Sequence, residues 1–178
     1  MQEFLKRLQL IDSFNLELKI QKSDFVERLK IQVKPSDLSM FSDSFSVFSA
    51  NKKEYIGTVR SNDFRIKKSK RFFDFNLPFA LANGTLSQKE DSLVIETQIN
   101  GFPKIFIVFY IFLIIFYGVF IMGTLFVDEV GGNMPRIAFI PFIVFHATVM
   151  MGMPYLFMRR SVKKLKYDLE REFYFLTR

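Results

Sequence analysis

Two long apolar stretches occupy the second half of the chain. Residues 105–127 and 137–158 contain no charged side chain over 23 and 22 positions, respectively. A helix rises about 1.5 Å per residue, so each stretch is long enough to cross the ~30 Å hydrocarbon core of a bilayer. A core helix of a small soluble domain keeps a polar face, and neither stretch has one. The pattern predicts two transmembrane helices, although Pro141 and Pro154 leave open the alternative of one span and a buried hairpin arm.

A short polar segment, residues 128–136, connects the two stretches. It contains Gly131-Gly132-Asn133 followed by Pro135, a combination typical of a turn. Because this connection is short, the two helices are expected to be antiparallel neighbours. We therefore predict a transmembrane hairpin over residues 104–158, with spans at 105–127 and 137–158.

Polar and apolar positions alternate at a shorter period before the first span. From Phe14 to Ile20, every second residue is apolar, which is the pattern of a half-buried strand. Short strands joined by short turns favour an antiparallel meander. Residues 1–103 are therefore predicted to form a soluble α+β domain, an antiparallel β-sheet with short helices. The further predicted elements are helices at 2–11 and 23–31, strands at 53–60, 64–70, 81–86 and 92–100, and a candidate strand at 44–49.

The C-terminal tail, residues 159–178, repeats apolar side chains at helical spacing. Val162, Leu165, Leu169, Phe173 and Leu176 lie three or four positions apart. This spacing predicts an amphipathic helix whose apolar stripe needs a partner. We expect the stripe to pack back on the sheet. The alternative is that the helix lies on the membrane surface with its apolar face down.

Basic residues are distributed unequally around the two apolar stretches. The chain has 25 basic and 18 acidic side chains, a net charge of +7. Five basic residues lie within positions 159–166, whereas the connecting segment has two acids and one arginine. Segments rich in Lys and Arg next to spans remain in the cytoplasm. The sheet domain and both termini are therefore predicted to be cytoplasmic in a two-span protein of the bacterial inner membrane, and no secretory signal is expected at the N-terminus.

The residue types that carry most catalytic and metal chemistry are scarce. The absence of cysteine excludes disulfides, thiolate metal sites and thiol catalysis, and a single histidine excludes multi-histidine metal sites. Neither a phosphate-binding loop nor a dinucleotide-binding glycine motif occurs. His146, the one histidine, has no acidic residue in either span. We therefore expect no enzymatic activity, no catalytic residues, no metal and no cofactor.

One cluster of basic residues lies around the second predicted strand of the meander. Beside a membrane, such a cluster favours anionic lipid, because each nearby Lys or Arg is attracted by the negatively charged cytoplasmic leaflet. Anionic lipid is favoured over nucleic acid as a ligand, and the more common role of such residues is an ordinary solvated sheet face or a guarded sheet edge. The cluster comprises Arg60, Arg65, Lys67, Lys68, Lys70 and Arg71.

His146 lies at mid-depth of the second span. If the helices are antiparallel about Gly131-Gly132, paired positions sum to about 263, and Tyr117 then faces His146. The favoured interpretation is a Tyr117–His146 hydrogen bond that joins the helices with the imidazole neutral. The alternative is a site that responds to protons or a ligand, because ionisable groups within membranes are often functional.

Over residues 54–126, the order of strand segments and of the Gly, Asn and Pro residues between them resembles that of small bacterial membrane proteins of uncharacterised function. The resemblance implies a β-rich domain followed by two spans, and it implies no activity and no site residues. It is carried by Gly57-Thr58-Val59, Phe64-Arg65-Ile66, Asn76, Pro78 and Gly84-Thr85-Leu86, followed by a strand that runs into a span.

These features lead us to expect a non-enzymatic accessory or interaction subunit of a bacterial inner-membrane assembly. Two spans cannot enclose a pore, so we expect self-association or other membrane-protein subunits as partners, together with membrane lipids. One alternative is a membrane-anchored module that senses a lipid or another ligand. Another is a two-span effector that disrupts membranes.

Overall fold

The structure is a computed structural model that describes residues 2–36, 38, 53–69, 79–126 and 139–177. The candidate strand at 44–49 lies outside these residues. The helices are α1 (Gln2–Arg7), α2 (Lys22–Gln32), α3 (Ile105–Phe126) and α4 (Phe139–Phe175). The strands are β1 (Ile11–Leu18), β2 (Val33–Pro35), β3 (Tyr55–Val59), β4 (Asp63–Lys68), β5 (Leu81–Lys89) and β6 (Ser92–Asn100).

The strands form a six-stranded mixed sheet in the order β1-β6-β5-β4-β3-β2. Strands β3 to β6 form the expected antiparallel meander, and β1 adds to it beside β6. The prediction of a purely antiparallel sheet is wrong at the other edge, where β2 pairs with β3 in parallel, Val33 opposite Tyr55. Helix α2 crosses from one edge of the sheet, β1, to the other edge, where β2 runs parallel to β3. Pro35 is tolerated because an edge strand needs fewer N–H donors.

The buried face of the sheet follows the period-two pattern of its strands. On β6, Leu93, Ile95 and Ile99 are buried, and Glu96 and Gln98 between them are exposed. This alternation separates a core face from a polar outer face. Both α2 and the C-terminal half of α4 contribute side chains to the core.

The C-terminal half of α4 lies in the core of the sheet unit. The five apolar residues of the predicted tail stripe, Val162 to Leu176, are all buried in one cluster with residues of the sheet and α2. The Phe173 ring lies at the centre, with its centroid 5.4 Å from that of Phe25 and 5.6 Å from that of Phe64. Of the two surfaces considered for the tail, the stripe thus covers the sheet.

The chain divides into two compact units. One contains residues 1–102 and 157–178, and the other contains residues 103–156. Helix α4 runs without interruption through positions 156 and 159, so no helix boundary lies at residue 159, where the predicted tail begins. In the second unit, Leu113 and Tyr117 of α3 are buried together with Ile143 of α4.

Candidate functional site

The structure brings Tyr117 and His146 together. The Tyr117 hydroxyl lies 2.7 Å from Nδ1 of His146, and their ring centroids are 6.0 Å apart. Phe142, one turn earlier on α4, stacks on the imidazole with a centroid distance of 6.2 Å and an interplanar angle of 19°. These contacts fix the orientation of the imidazole from two helices.

A second polar contact joins the same helices one and a half to two turns away. The Tyr110 hydroxyl donates to the carbonyl oxygen of Met151 at 3.0 Å. Moving from Tyr117 to Tyr110 on α3 therefore corresponds to moving from His146 to Met151 on α4. The two contacts therefore run in opposite directions along the two helices. Leu113 and Ile143 are buried in the same apolar cluster as Tyr117.

The chemistry of the pair follows from the exposure of the imidazole. A neutral imidazole has one donor and one acceptor nitrogen, and Nδ1 is used by Tyr117. The His146 side chain is exposed, and Nε2 has no hydrogen-bond partner among the described residues. Nε2 is therefore available to hydrogen-bond to another molecule.

The predicted basic cluster is divided by the alternation of strand β4. Arg65 points to the outer face, where it lies opposite Thr58 and Asn83, and Arg60 is exposed in the β3–β4 turn. Lys67 shares the outer face by the same period. Lys68 lies on the other face, and Lys70 and Arg71 lie outside the described residues.

Lys68 belongs to a partly buried ionic cluster that the sequence pattern did not predict. Its Nζ pairs with Asp168 of α4 and lies 3.4 Å from a carboxylate oxygen of Glu54. Asp168 is 7% exposed, and Lys68 compensates its charge. Tyr55 lies in the same region, where burial raises the pKa of its phenol and the charges of Glu54 and Asp168 raise that pKa further.

A positional clue to Asp168 was present in the sequence. It lies three residues after Leu165 and directly before Leu169, within the apolar stripe of the helix. A charged residue in an apolar stripe is either paired or in contact with solvent. Its i,i+4 spacing from Lys164 is typical of an exposed ion pair on one helix, whereas the structure pairs it with Lys68, 100 residues away in the chain.

The outer face of the sheet carries a row of polar side chains. Cross-strand register aligns Ser13, Gln98, Asn83, Arg65 and Thr58 in one row across five strands. Residues of this row and its neighbours line a surface pocket. The pocket is open to solvent, which differs from the closed apolar cavity that a sensor of apolar ligands requires.

The described residues form no candidate metal site, and the comparisons with known proteins point to no site. Within the described ranges, no group of three or more His, Asp or Glu side chains is placed to hold a metal ion. Comparison of the chain with protein-family models, with curated proteins and with solved structures finds no match.

Proposed function

We propose that this protein is a non-enzymatic accessory subunit of a bacterial inner-membrane assembly, anchored by a transmembrane hairpin with its sheet unit in the cytoplasm. The observation that carries the proposal is the exposed His146, which lies in the middle of an otherwise apolar, exposed helical surface.

Insertion is supported by the apolar surface of α3 and the first half of α4. Both helices are long and apolar enough to cross a membrane, and only 11% and 6% of their apolar windows are buried within the chain. A core helix of a soluble protein would have this surface covered. Exposed apolar surface of this extent is stable when it contacts lipid or another protein. Its most exposed large side chains include Val108, Phe112, Val119, Phe142 and Phe145.

Orientation is supported by the charges at the ends of the apolar segments. Lys104 precedes α3, and Arg159 and Arg160 follow the apolar half of α4. The connection between the helices has a net charge of −1, because it contains two acids and one arginine. The positive ends therefore favour the cytoplasmic side.

Association is supported by the position of His146. Ionisable side chains inside membranes almost always face a protein neighbour or a water-filled cavity, because contact with lipid is costly. A lone hairpin leaves one imidazole nitrogen directed away from Tyr117 without a described partner. A helix of a second subunit would cover the imidazole and supply that partner.

The mass of the protein extracted from its native membrane in a mild detergent tests the proposal. We expect the protein mass of the particle, without its bound detergent, to exceed the 21.0 kDa of one chain. We expect His146→Leu to weaken the assembly. Val144→Leu is the matched control, because Val144 is also exposed and lies about 200° around the helix from His146. A stable monomer of the unaltered chain would contradict the proposal, and an equal effect of both variants would remove the role of His146.

A further inference from the structure

We propose that helix α1 and the exposed basic residues that follow the apolar half of α4 form a surface that binds the head groups of anionic phospholipids. The inference rests on the membrane insertion proposed above, and it assigns a lipid partner to the sheet unit itself. Four exposed cations carry it: Lys6, Arg7, Arg160 and Lys163. This surface is distinct from the basic cluster around β4.

Two hydrogen bonds fix the position of α1 within the sheet unit. The Gly101 N–H donates to the carbonyl oxygen of Leu10, and Nε of Arg159 donates to Oε1 of Gln9, both at 2.8 Å. Gly101 lies just before the chain leaves the sheet unit, and Arg159 lies just after it returns. The turn that follows α1 is therefore attached to the outgoing and the returning segments alike.

This attachment limits the distance between α1 and a bilayer that contains α3. Gly101 is four residues before Ile105, the first residue of α3, and four residues span at most about 14 Å. Arg159 directly follows Met158, the last residue of the second uncharged stretch. A bilayer around the apolar helices would thus bring its head groups close to Gln9 and Leu10.

The side chains of α1 suit the interface between head groups and acyl chains. Leu5 is buried and attaches the helix to the sheet unit, whereas Phe4 is 62% exposed and shares a helical face with the exposed Arg7, three residues later. An exposed aromatic ring beside cations is typical of helices that lie in the membrane surface. The ring can enter the acyl boundary while the cations remain among phosphates.

Three of the four cations of this surface have no ion-pair partner among the described residues. Lys6 pairs with Glu3 of the same helix at 3.1 Å. Arg7, Arg160 and Lys163 form no ion pair with any residue in the part of the chain that the structure describes. Lys166, by contrast, is held by Asp12 at 3.1 Å. The unpaired cations are therefore free to bind lipid phosphates, and binding is expected to depend on anionic lipid.

A single tryptophan at position 4 provides a direct reporter, since the natural chain has no tryptophan. The Phe4→Trp protein is reconstituted in vesicles of phosphatidylcholine alone or of equal parts phosphatidylcholine and phosphatidylglycerol, with a quencher attached to lipid near the head group. We expect strong quenching in the mixed vesicles and at least twofold less in phosphatidylcholine. Equal quenching in the two vesicles, or none in either, would overturn the inference.

Charge variants test whether these particular cations are responsible. Replacing Arg7, Arg160 and Lys163 together by glutamine is expected to lower quenching in mixed vesicles to the level in phosphatidylcholine. The matched control replaces three exposed lysines elsewhere, Lys19, Lys30 and Lys89, by glutamine. The control is expected to leave quenching unchanged, and an equal loss in both triple variants would contradict a localised surface.

Two further reporters separate this inference from the proposed membrane insertion. Phe145→Trp, on the apolar half of α4, is expected to be quenched by a deep acyl-chain quencher in both vesicles, because Phe145 is 68% exposed. Phe175→Trp, about 27 Å further along α4 than Phe157, is expected to remain unquenched. Loss of the Phe145 signal would reject insertion. A quenched Phe145 reporter with an unquenched Phe4 reporter would reject only the head-group surface.

Discussion

Lys68 of strand β4 forms an ion pair with Asp168 of helix α4, so that a charge in the meander is neutralised by one near the C-terminus. The pair lies at the margin of the core, where Asp168 is almost fully buried and Lys68 is partly exposed. Glu54 contacts the same ammonium group. This contact ties the C-terminal half of α4 to the sheet in one register, in addition to the apolar packing around Phe173.

Removing the charge of Asp168 is expected to destabilise the sheet unit. Asp168→Asn should lower the free energy of unfolding by about 2–3 kcal/mol, less than for a fully buried pair because Lys68 keeps Glu54 and some water. Urea unfolding in detergent measures the change, with the exposed Asp24→Asn as control. In a double-mutant cycle with Lys68→Met, a coupling energy near zero would contradict the pair's contribution.

Truncating Phe173 is expected to have the largest effect of any single substitution in α4. Its ring contacts the rings of Phe14, Phe25 and Phe64, so Phe173→Ala leaves a cavity and should cost about 3–5 kcal/mol. Phe175→Ala, two residues later and exposed, should change stability by less than about 0.5 kcal/mol. Equal effects in thermal unfolding would show that the tail does not pack on the sheet.

A side chain at position 84 is expected to displace the Phe64 ring. Gly84 lies directly opposite Phe64 in the β4–β5 register, and a Cβ atom there would overlap the ring. Gly84→Ala should therefore destabilise the protein by about 1–3 kcal/mol. At Gly118 in α3 a Cβ atom has open space, so Gly118→Ala should be neutral or stabilising. The opposite order of stabilities would refute this packing.

Ionisation of Tyr55 is expected to make stability fall at alkaline pH. Burial, with Glu54 and Asp168 nearby, raises the phenol pKa above its ordinary value of 10.0 in the folded state. Above pH 10 the unfolded chain therefore loses this proton before the folded chain does, so unfolding becomes more favourable as pH rises. Unfolding measured from pH 8 to 11 should show this loss, and Tyr55→Phe should reduce it. An unchanged slope in the variant would exclude Tyr55 as the cause.

The sequence predicted elements best where one periodicity covered a whole segment. Strand β6 occupies the predicted residues 92–100, and α3 ends one residue from the predicted end of the first span. Strand β2 was not predicted, because a strand of three residues carries no periodicity. Its parallel pairing depends on where α2 delivers the chain, which is a tertiary property.

The candidate sites were likewise predicted best where a regular helical register determined which residues meet. The helical register placed Tyr117 opposite His146, and the structure has their side chains in hydrogen-bond contact. The basic residues around β4 were grouped by proximity in sequence, whereas the alternation of the strand directs Lys68 to the core side and Arg65 to the outer face. The link from Gln9 to Arg159 spans 150 residues and has no trace in local sequence.

The most direct test of membrane insertion and orientation uses the absence of cysteine in the natural chain. Single cysteines are introduced by Ser23→Cys in the sheet unit and by Asn133→Cys in the connection between the apolar helices. Intact cells are then treated with a thiol reagent that cannot cross the inner membrane. We predict labelling at position 133 in intact cells and at position 23 only after the membrane is permeabilised. Labelling at position 23 in intact cells, or a purified chain that stays in solution without detergent, would contradict the account.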